Sequence, residues 1–188
     1  MSKTFLPDDY SVPKSDGKFA KIETGENKFV VCDSVTLGWI YWNTDNKPVR
    51  LQESPKTLPM NIRIKDGKPE TVKHFWAFPV YNMETKQVQI LELTQKTLMG
   101  ALQDLAKNKD WGDPILNYQI TISKKGEKLK TEYQILPVPL KMDKQEIAQA
   151  YEESDIEMDK FFEAKEESNP MEESNPYDID EIADAIKM

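Results

Sequence analysis

The chain has 188 residues, of which 38% are hydrophobic and 31% are charged, so it can form one domain of ordinary size with an appendage. No apolar run approaches the roughly 18 residues of a membrane span, and the first residues lack the hydrophobic region of a signal peptide. We therefore predict a protein that is neither membrane-embedded nor exported. The single cysteine, Cys32, excludes an internal disulfide, and with the single histidine, His74, it gives too few ligands for a Cys/His zinc site.

The net charge of −8 is unevenly distributed along the chain. Residues 1–141 carry 21 basic and 17 acidic side chains, whereas residues 142–188 carry 4 and 16. All four tryptophans and all seven glycines lie in the first part. These differences predict a mildly basic, aromatic-rich domain at 18–141, between a flexible arm at 1–17 and an acidic tail at 142–188.

The first part of the domain is rich in strand-forming residues. Runs of β-branched and aromatic residues, separated by turn-forming residues, predict a series of short strands. They lie at 28–32, 35–42, 60–65, 72–81 and 87–93. The last two flank a hairpin turn, and Pro79 lies inside the fourth, where it is expected to disturb the strand register.

A change of period marks a helix. Leu98, Leu102 and Leu105 follow helical spacing, which predicts an amphipathic helix over 94–107 with Thr94 as its N-cap. Alternating segments then predict a final hairpin, with strands at 118–122 and 131–136 and four lysines in its loop.

The order of these elements predicts the fold class. Strands followed by one helix and two more strands fit the OB fold, a mainly β, five-stranded Greek-key barrel with one helix between strands 3 and 4. A β-sandwich or another α+β domain would also accommodate the order. In the tail, Asp143 and Glu146 form a capping box that predicts a further helix.

Aromatic and basic side chains occur together in several segments. Aromatic faces stack on unpaired bases at ~1–3 kcal/mol each, and basic side chains follow the phosphates. In the fourth strand, side chains alternate between the two faces of the sheet. One face carries Lys73, Phe75 and Tyr81 and is predicted to bind DNA. The other face carries His74 and Trp76 and is predicted to face the core. Because the proline leaves this register uncertain, Trp76 is kept as a candidate. The candidate DNA contacts are Trp39, Tyr41, Trp42, Phe75, Trp76, Tyr81, Lys47, Arg50, Lys73, Lys86, Lys124, Lys125 and Lys128.

Simpler roles exist for these residues, since strand aromatics are commonly core and lysine-rich hairpins are commonly just solvated. A Cys32–His74 dyad is arithmetically possible, but both residues lie in apolar strands, which favours core positions. Asp66 with Glu84 and Lys86 leaves a metal-dependent nuclease as an alternative function. An acidic adaptor or DNA mimic that does not itself bind DNA is a second alternative.

The end of the tail has a pattern of its own. Residues 166–170 recur as 172–176, which is typical of a disordered linker. The isoleucines beyond it follow helical spacing among acidic residues, so this stretch either docks into a partner's groove or stays disordered. The candidate partner contacts are Tyr177, Ile179, Ile182 and Ile186.

Two strings, HFWAFPV at 74–80 and QILELTQKT at 89–97, resemble a family of bacteriophage single-stranded DNA-binding proteins. The resemblance extends to DWGDP at 110–114, TEY at 131–133, YW at 41–42 and KPVR at 47–50. It covers roughly residues 20–140. The resemblance implies an OB-fold domain that coats single strands during phage DNA replication, recombination and repair, in the cytoplasm of the infected bacterial host. The last residues depart from the family because they include no aromatic side chain.

We therefore predict a non-enzymatic, largely sequence-independent binder of single-stranded DNA that needs no cofactor or metal. The acidic tail is a polyanion tethered beside the binding groove, so it is expected to compete with DNA. When DNA displaces the tail, its end becomes free for replication and recombination proteins. Self-association is left open.

Overall fold

The computed structural model of the chain describes residues 17–108, 110 and 114–163, and it is mainly β. The strands are β1 (Gly25–Val31), β2 (Thr36–Trp42), β3 (Pro48–Leu51), β4 (Ile64–Lys65), β5 (Lys68–Pro69), β6 (Lys73–Asn82), β7 (Gln87–Leu93), β8 (Tyr118–Lys125) and β9 (Glu132–Pro139). The helices are α1 (Lys96–Lys107), α2 (Pro114–Asn117) and α3 (Lys144–Glu152), with 3-10 turns at Lys128–Lys130 and Met158–Lys160. No helix in these ranges has the length and apolarity to cross a membrane.

One antiparallel sheet contains most of the strands. Its order is β3-β2-β6-β1-β8-β9, and β7 pairs with the other edge of β6. β4 and β5 form a separate small hairpin. The mainly β prediction is confirmed. Strand pairing among the described residues leaves the sheet open, however, and does not close it into the predicted barrel.

β1 and β2 lie end to end along the same edge of β6. Val31 pairs with Val80, and the next pair is Thr36 with Ala77, so four residues of this edge oppose only two of β6. Such a mismatch is a bulge. Pro79 lies opposite the bulge, where the strand pairing does not require a backbone N–H from β6, so a proline is tolerated. The Pro79 carbonyl accepts a backbone hydrogen bond of 2.9 Å from Cys32, the first residue of the bulge. The expected disturbance therefore occurs in the partner strand, while β6 stays continuous.

The main core lies between one face of the sheet and α1. The buried side of α1 consists of Leu98, Met99 and Leu102, which pack on the sheet. This confirms the predicted amphipathic helix. Its N-cap, however, is Gln95, which makes no side-chain capping bond, and not the predicted Thr94. The reason is that β7 runs up to the residue before Thr94, so the helix begins one residue later.

The opposite face of the sheet is covered by residues 144–162, which we call the C-terminal cover. The cover begins with α3, whose predicted N-cap, Asp143, accepts a hydrogen bond of 2.9 Å from the Gln145 backbone N–H. Ile147 of α3 packs against Val30 and Tyr81. The first part of the predicted tail is thus packed against the domain.

Gly38 in β2 is a close-approach position. A Cβ there would lie 2.5 Å from Cζ of Phe75 and 2.8 Å from the carbonyl oxygen of Leu51. Because that backbone atom has little freedom to move, we expect Gly38→Ala to lower the free energy of unfolding by about 1–3 kcal/mol. A Cβ on Gly100 in α1 meets open space, so Gly100→Ala should raise it by about 0.5–1 kcal/mol. Urea denaturation measures both, and shifts of the same sign would contradict the packing described.

Candidate nucleic-acid interface

The six predicted stacking aromatics divide into two groups by exposure. Phe75 is fully buried, and Tyr41, Trp42 and Tyr81 are 7%, 8% and 7% exposed. Trp39 and Trp76 are only half-buried. Of the six, these two indoles therefore have the most ring surface that a base could reach.

Tyr41 and Trp42 are enclosed by the segment that follows β2. The Tyr41 hydroxyl donates a hydrogen bond of 3.0 Å to Oδ1 of Asn61. The Arg63 guanidinium lies 5.1 Å from the Trp42 ring centroid and is itself held by Glu70, with Nη2 to Oε1 at 2.7 Å. Both predicted DNA contacts thus pack against the chain's own segment 43–72.

Arg50 lies on the covered face of the sheet in a buried ion pair. Its Nε is 2.7 Å from Oε2 of Glu92, and both side chains are almost fully enclosed. The guanidinium carbon also lies 5.0 Å from the Phe19 ring centroid and 5.1 Å from that of Phe161. The predicted phosphate contact is therefore enclosed between two rings and one carboxylate.

Phe75 and Tyr81 lie on the same covered face. The Phe75 ring centroid is 5.7 Å from that of Phe161 and 6.2 Å from that of Phe162. Tyr81 packs against Ile147 of α3. Alternation did place Phe75 and Tyr81 on one face, but the C-terminal cover, not solvent, lies against it.

The accessible aromatic surface is on the other face, beyond the end of the main core. Cross-strand pairs join Leu37 with Trp76 and Trp39 with His74, so these four side chains share one face. We call them the stacking platform. The rings of Trp39 and His74 are 5.0 Å apart between centroids, and Leu37 is 52% exposed. Diagonal neighbours across strands lie about 7–8 Å apart, which places the two indoles within reach of one ligand.

His74 has a fixed orientation on the platform. Its Nδ1 lies 2.8 Å from the carbonyl oxygen of Gly38. A carbonyl can only accept, so Nδ1 carries the proton in this hydrogen bond. The bond holds the imidazole against the indole of Trp39, which limits the movement of both rings.

An apolar cleft adjoins the platform at Trp76. It has a volume of about 410 Å³ and lies between the sheet, α1 and α2. Val35 and Leu116 line it and are 44% and 46% exposed, and Lys107 at the end of α1 and Asp33 after β1 contribute one charge of each sign. A half-buried indole beside an open apolar cleft is suited to planar rings.

Searches with this chain match no family model, no curated protein and no solved structure. The resemblance to phage single-stranded DNA-binding proteins therefore stays a prediction.

The predicted phosphate-binding lysines do not form one group. Lys47 is exposed in the turn after β2. Lys73 begins β6, where strand alternation places its side chain on the covered face with Phe75 and not on the face of the platform. Lys86 lies in the β6–β7 turn, at the far end of β6. At ~3.3 Å per residue, that end is about 26 Å from His74 along the strand.

The remaining lysines lie farther along the sheet. Lys124 and Lys125 end β8, and Lys128 follows in the hairpin turn. Lys124 pairs with Gly25 at the start of β1, about 40 Å from the platform along the strands at ~3.3 Å per residue. Leu37 and Lys107 were not among the predicted site residues, because a lone leucine or lysine carries no distinguishing pattern before its neighbours are known.

The structure does not bring together the carboxylates of the alternative metal-dependent nuclease site. Asp66 lies in the β4–β5 turn and Glu84 in the β6–β7 turn, so the two carboxylates lie beyond opposite ends of β6. Within the described ranges, no three His, Cys, Asp or Glu side chains form a group that could hold a metal ion. The predicted partner contacts at Tyr177, Ile179, Ile182 and Ile186 lie outside the described residues.

Cys32 is separated from His74 along β6, since it lies in the bulge opposite Pro79. Burial raises the pKa of its thiol to about 11, so about one part in a thousand is thiolate at pH 8. We expect maleimide to modify Cys32 far more slowly in the native protein than in urea. Below that pKa, each unit of pH should speed the native reaction about tenfold. Equal rates in the native and unfolded states, followed by mass spectrometry, would contradict this placement.

Proposed function

We propose that the chain binds single-stranded DNA with little sequence preference through the stacking platform, without catalysing a reaction. The observation that carries the proposal is the pair of half-buried indoles, Trp39 and Trp76, on one sheet face beside an open apolar cleft. Every unpaired base offers a face for such stacking, whereas the bases of a duplex are already stacked on each other. The cellular role we propose is phage DNA replication, recombination and repair, in the cytoplasm of the infected host.

The strand order supports an OB-fold assignment as part of this proposal. If β1 and β2 are counted together as the first strand, then β6, β7 and β8 are the second, third and fourth. Their spatial order, β8-β1-β6-β7, is then the 4-1-2-3 order of a Greek key. β9 continues from β8, and α1 connects β7 to β8. The OB fold is a partly open five-stranded barrel of this kind that binds oligonucleotides.

Basic side chains at two distances would neutralise phosphates. Lys107 lines the cleft beside the platform, and the hairpin lysines would meet longer strands. Residues 164–188 carry eight acidic and two basic side chains, so we propose that they compete with DNA for these cations. The competition is electrostatic and should weaken as salt screens it.

A fluorescence titration of the full chain tests the proposal. We expect oligo-dT to quench tryptophan emission and a duplex of equal length to bind more weakly, because only unpaired bases stack on the indoles. The affinity should fall as salt rises, with a log–log slope of about −0.7 per neutralised phosphate. Absence of quenching and of binding at micromolar protein, or a preference for duplex, would refute the proposal.

The distant hairpin lysines give a length-dependent prediction. We expect Lys125→Gln with Lys128→Gln to weaken binding of a 30-nucleotide oligo-dT and to leave a 4-mer unaffected. The reason is the separation of about 40 Å along the strands, while OB-fold sites cover about 4–16 nucleotides. Anisotropy of labelled oligonucleotides measures both affinities. Equal losses for the 4-mer and the 30-mer would place the hairpin at the platform.

A further inference from the structure

The cleft beside the stacking platform has an apolar floor and a polar rim. Its floor consists of buried side chains from the sheet and from α1, among them Phe29, Phe78 and Leu102. The charged and polar side chains that line it are all exposed, and they are Asp33, Ser34, Gln103 and Lys107. A polar group pushed against the floor would lose its hydrogen bonds to water without gaining others. A ligand that enters the cleft must therefore turn an apolar edge inward.

The cleft is continuous with the stacking platform. The half-buried indole of Trp76 belongs to the platform and also lines the cleft. At the mouth of the cleft, Val35 lies two residues before Leu37 of the platform. The volume of about 410 Å³ is in the range of small-molecule pockets. A strand stacked on Trp76 thus brings a base to an opening large enough to receive it.

Of the four DNA bases, thymine has the edge that such a floor requires. Its major-groove edge carries the C5-methyl group, whereas cytosine, adenine and guanine present amino donors or ring-nitrogen acceptors there. Uracil, the corresponding base of RNA, has a hydrogen in place of the methyl group. The exposed rim offers both hydrogen-bond donors and acceptors to the polar groups of a base that stay at the mouth.

Resting on the proposed function, we propose that the cleft is a thymine subsite, which receives the C5-methyl group of one base of the strand that stacks on the platform. The same subsite would distinguish the thymine of DNA from the uracil of RNA. Burial of a methyl-sized group corresponds to about a fourfold gain in affinity. Because the cleft holds one base, this gain should not multiply with the length of the strand.

The affinities of the unaltered full chain for oligo-dT and oligo-dU are the first test, since these strands differ only in the C5-methyl group. We expect oligo-dT to bind about fourfold more tightly, with the same ratio for 8-mers and 12-mers. Equal affinities overturn the thymine subsite, while the proposed function survives as long as both strands bind. A ratio that grows with length would assign the methyl effect to stacked bases and also overturns the subsite. Failure of both strands to bind overturns the two proposals together.

Filling the cleft is the second test. Ala106 of α1 lines the cleft and is exposed. We expect Ala106→Leu to occupy the place of the methyl group and to bring the ratio of oligo-dT to oligo-dU affinity to about one. The matched control is Ala101→Leu, the same change at an exposed position of the same helix outside the cleft, which should keep the fourfold ratio. Leucine is a good helix former at both positions.

A fourfold ratio that persists in folded Ala106→Leu overturns the subsite. If this variant fails to fold, nuclear Overhauser effects between the unaltered chain and bound oligo-dT decide. We expect them between the thymine methyl protons and the methyl groups of Val35 and Leu116, which line the cleft. Their absence while oligo-dT is bound overturns the subsite.

Discussion

We expect Glu92→Gln to lower the free energy of unfolding by about 3–5 kcal/mol, the cost of removing one partner of a buried ion pair. The Glu92 side chain is fully buried and lies 2.7 Å from Nε of Arg50. Glutamine keeps an acceptor oxygen but not the negative charge, so the guanidinium stays buried between two rings without the Glu92 charge beside it. Because Arg50 also contacts Phe19 and Phe161, the loss should loosen the covered face as well.

Two variants serve as controls for this prediction. Glu26 makes an exposed ion pair with Lys28 at 3.6 Å, so Glu26→Gln should change stability by less than about 1 kcal/mol. The double variant Arg50→Met with Glu92→Leu removes both charges and should recover most of the stability. Urea denaturation measures all three, and a loss for Glu92→Gln no larger than that for Glu26→Gln would contradict a buried pair.

If the proposed function holds, we expect Trp39→Ala to weaken binding of oligo-dT by about 5- to 150-fold, which corresponds to ~1–3 kcal/mol for one stacked base. The Trp39 indole is half-buried and lies across from His74 on the neighbouring strand. Among the described residues, His74 supplies the one ring that contacts this indole. Trp39→Phe keeps a flat aromatic surface and should lose only a small part of the affinity.

The measurement for both variants is anisotropy of a labelled oligo-dT, with far-ultraviolet circular dichroism to confirm the fold. An unchanged affinity for folded Trp39→Ala would move the binding site away from the platform. A loss as large for Trp39→Phe as for Trp39→Ala would instead indicate a packing role for the indole.

Local patterns were sufficient to predict most elements. β7 lies at the predicted 87–93, and α1 occupies most of the predicted 94–107, because alternation and helical spacing are properties of short segments. β3 and the β4–β5 hairpin were less predictable, since prolines and charged residues interrupt those segments and their pairing depends on distant strands. The bulge opposite Pro79 likewise depends on a partner strand.

The exposed face could not be predicted in the same way. Alternation correctly separated Phe75 from Trp76, but Phe75 is buried and Trp76 is half-buried. The reason is non-local: Phe161, far along the chain, lies on Phe75, whereas α1 covers only part of the other face. The signal that could have indicated this cover is the pair Phe161–Phe162 in an otherwise acidic stretch.

Photocrosslinking of single-stranded DNA that carries 5-bromodeoxyuridine to the full chain, with the crosslinked peptides mapped by mass spectrometry, tests the site most directly. Crosslinks should concentrate on the peptides that contain Trp39 and Trp76, the two half-buried indoles of the platform. Crosslinks that avoid both peptides, while DNA is demonstrably bound, would contradict the assignment of this surface.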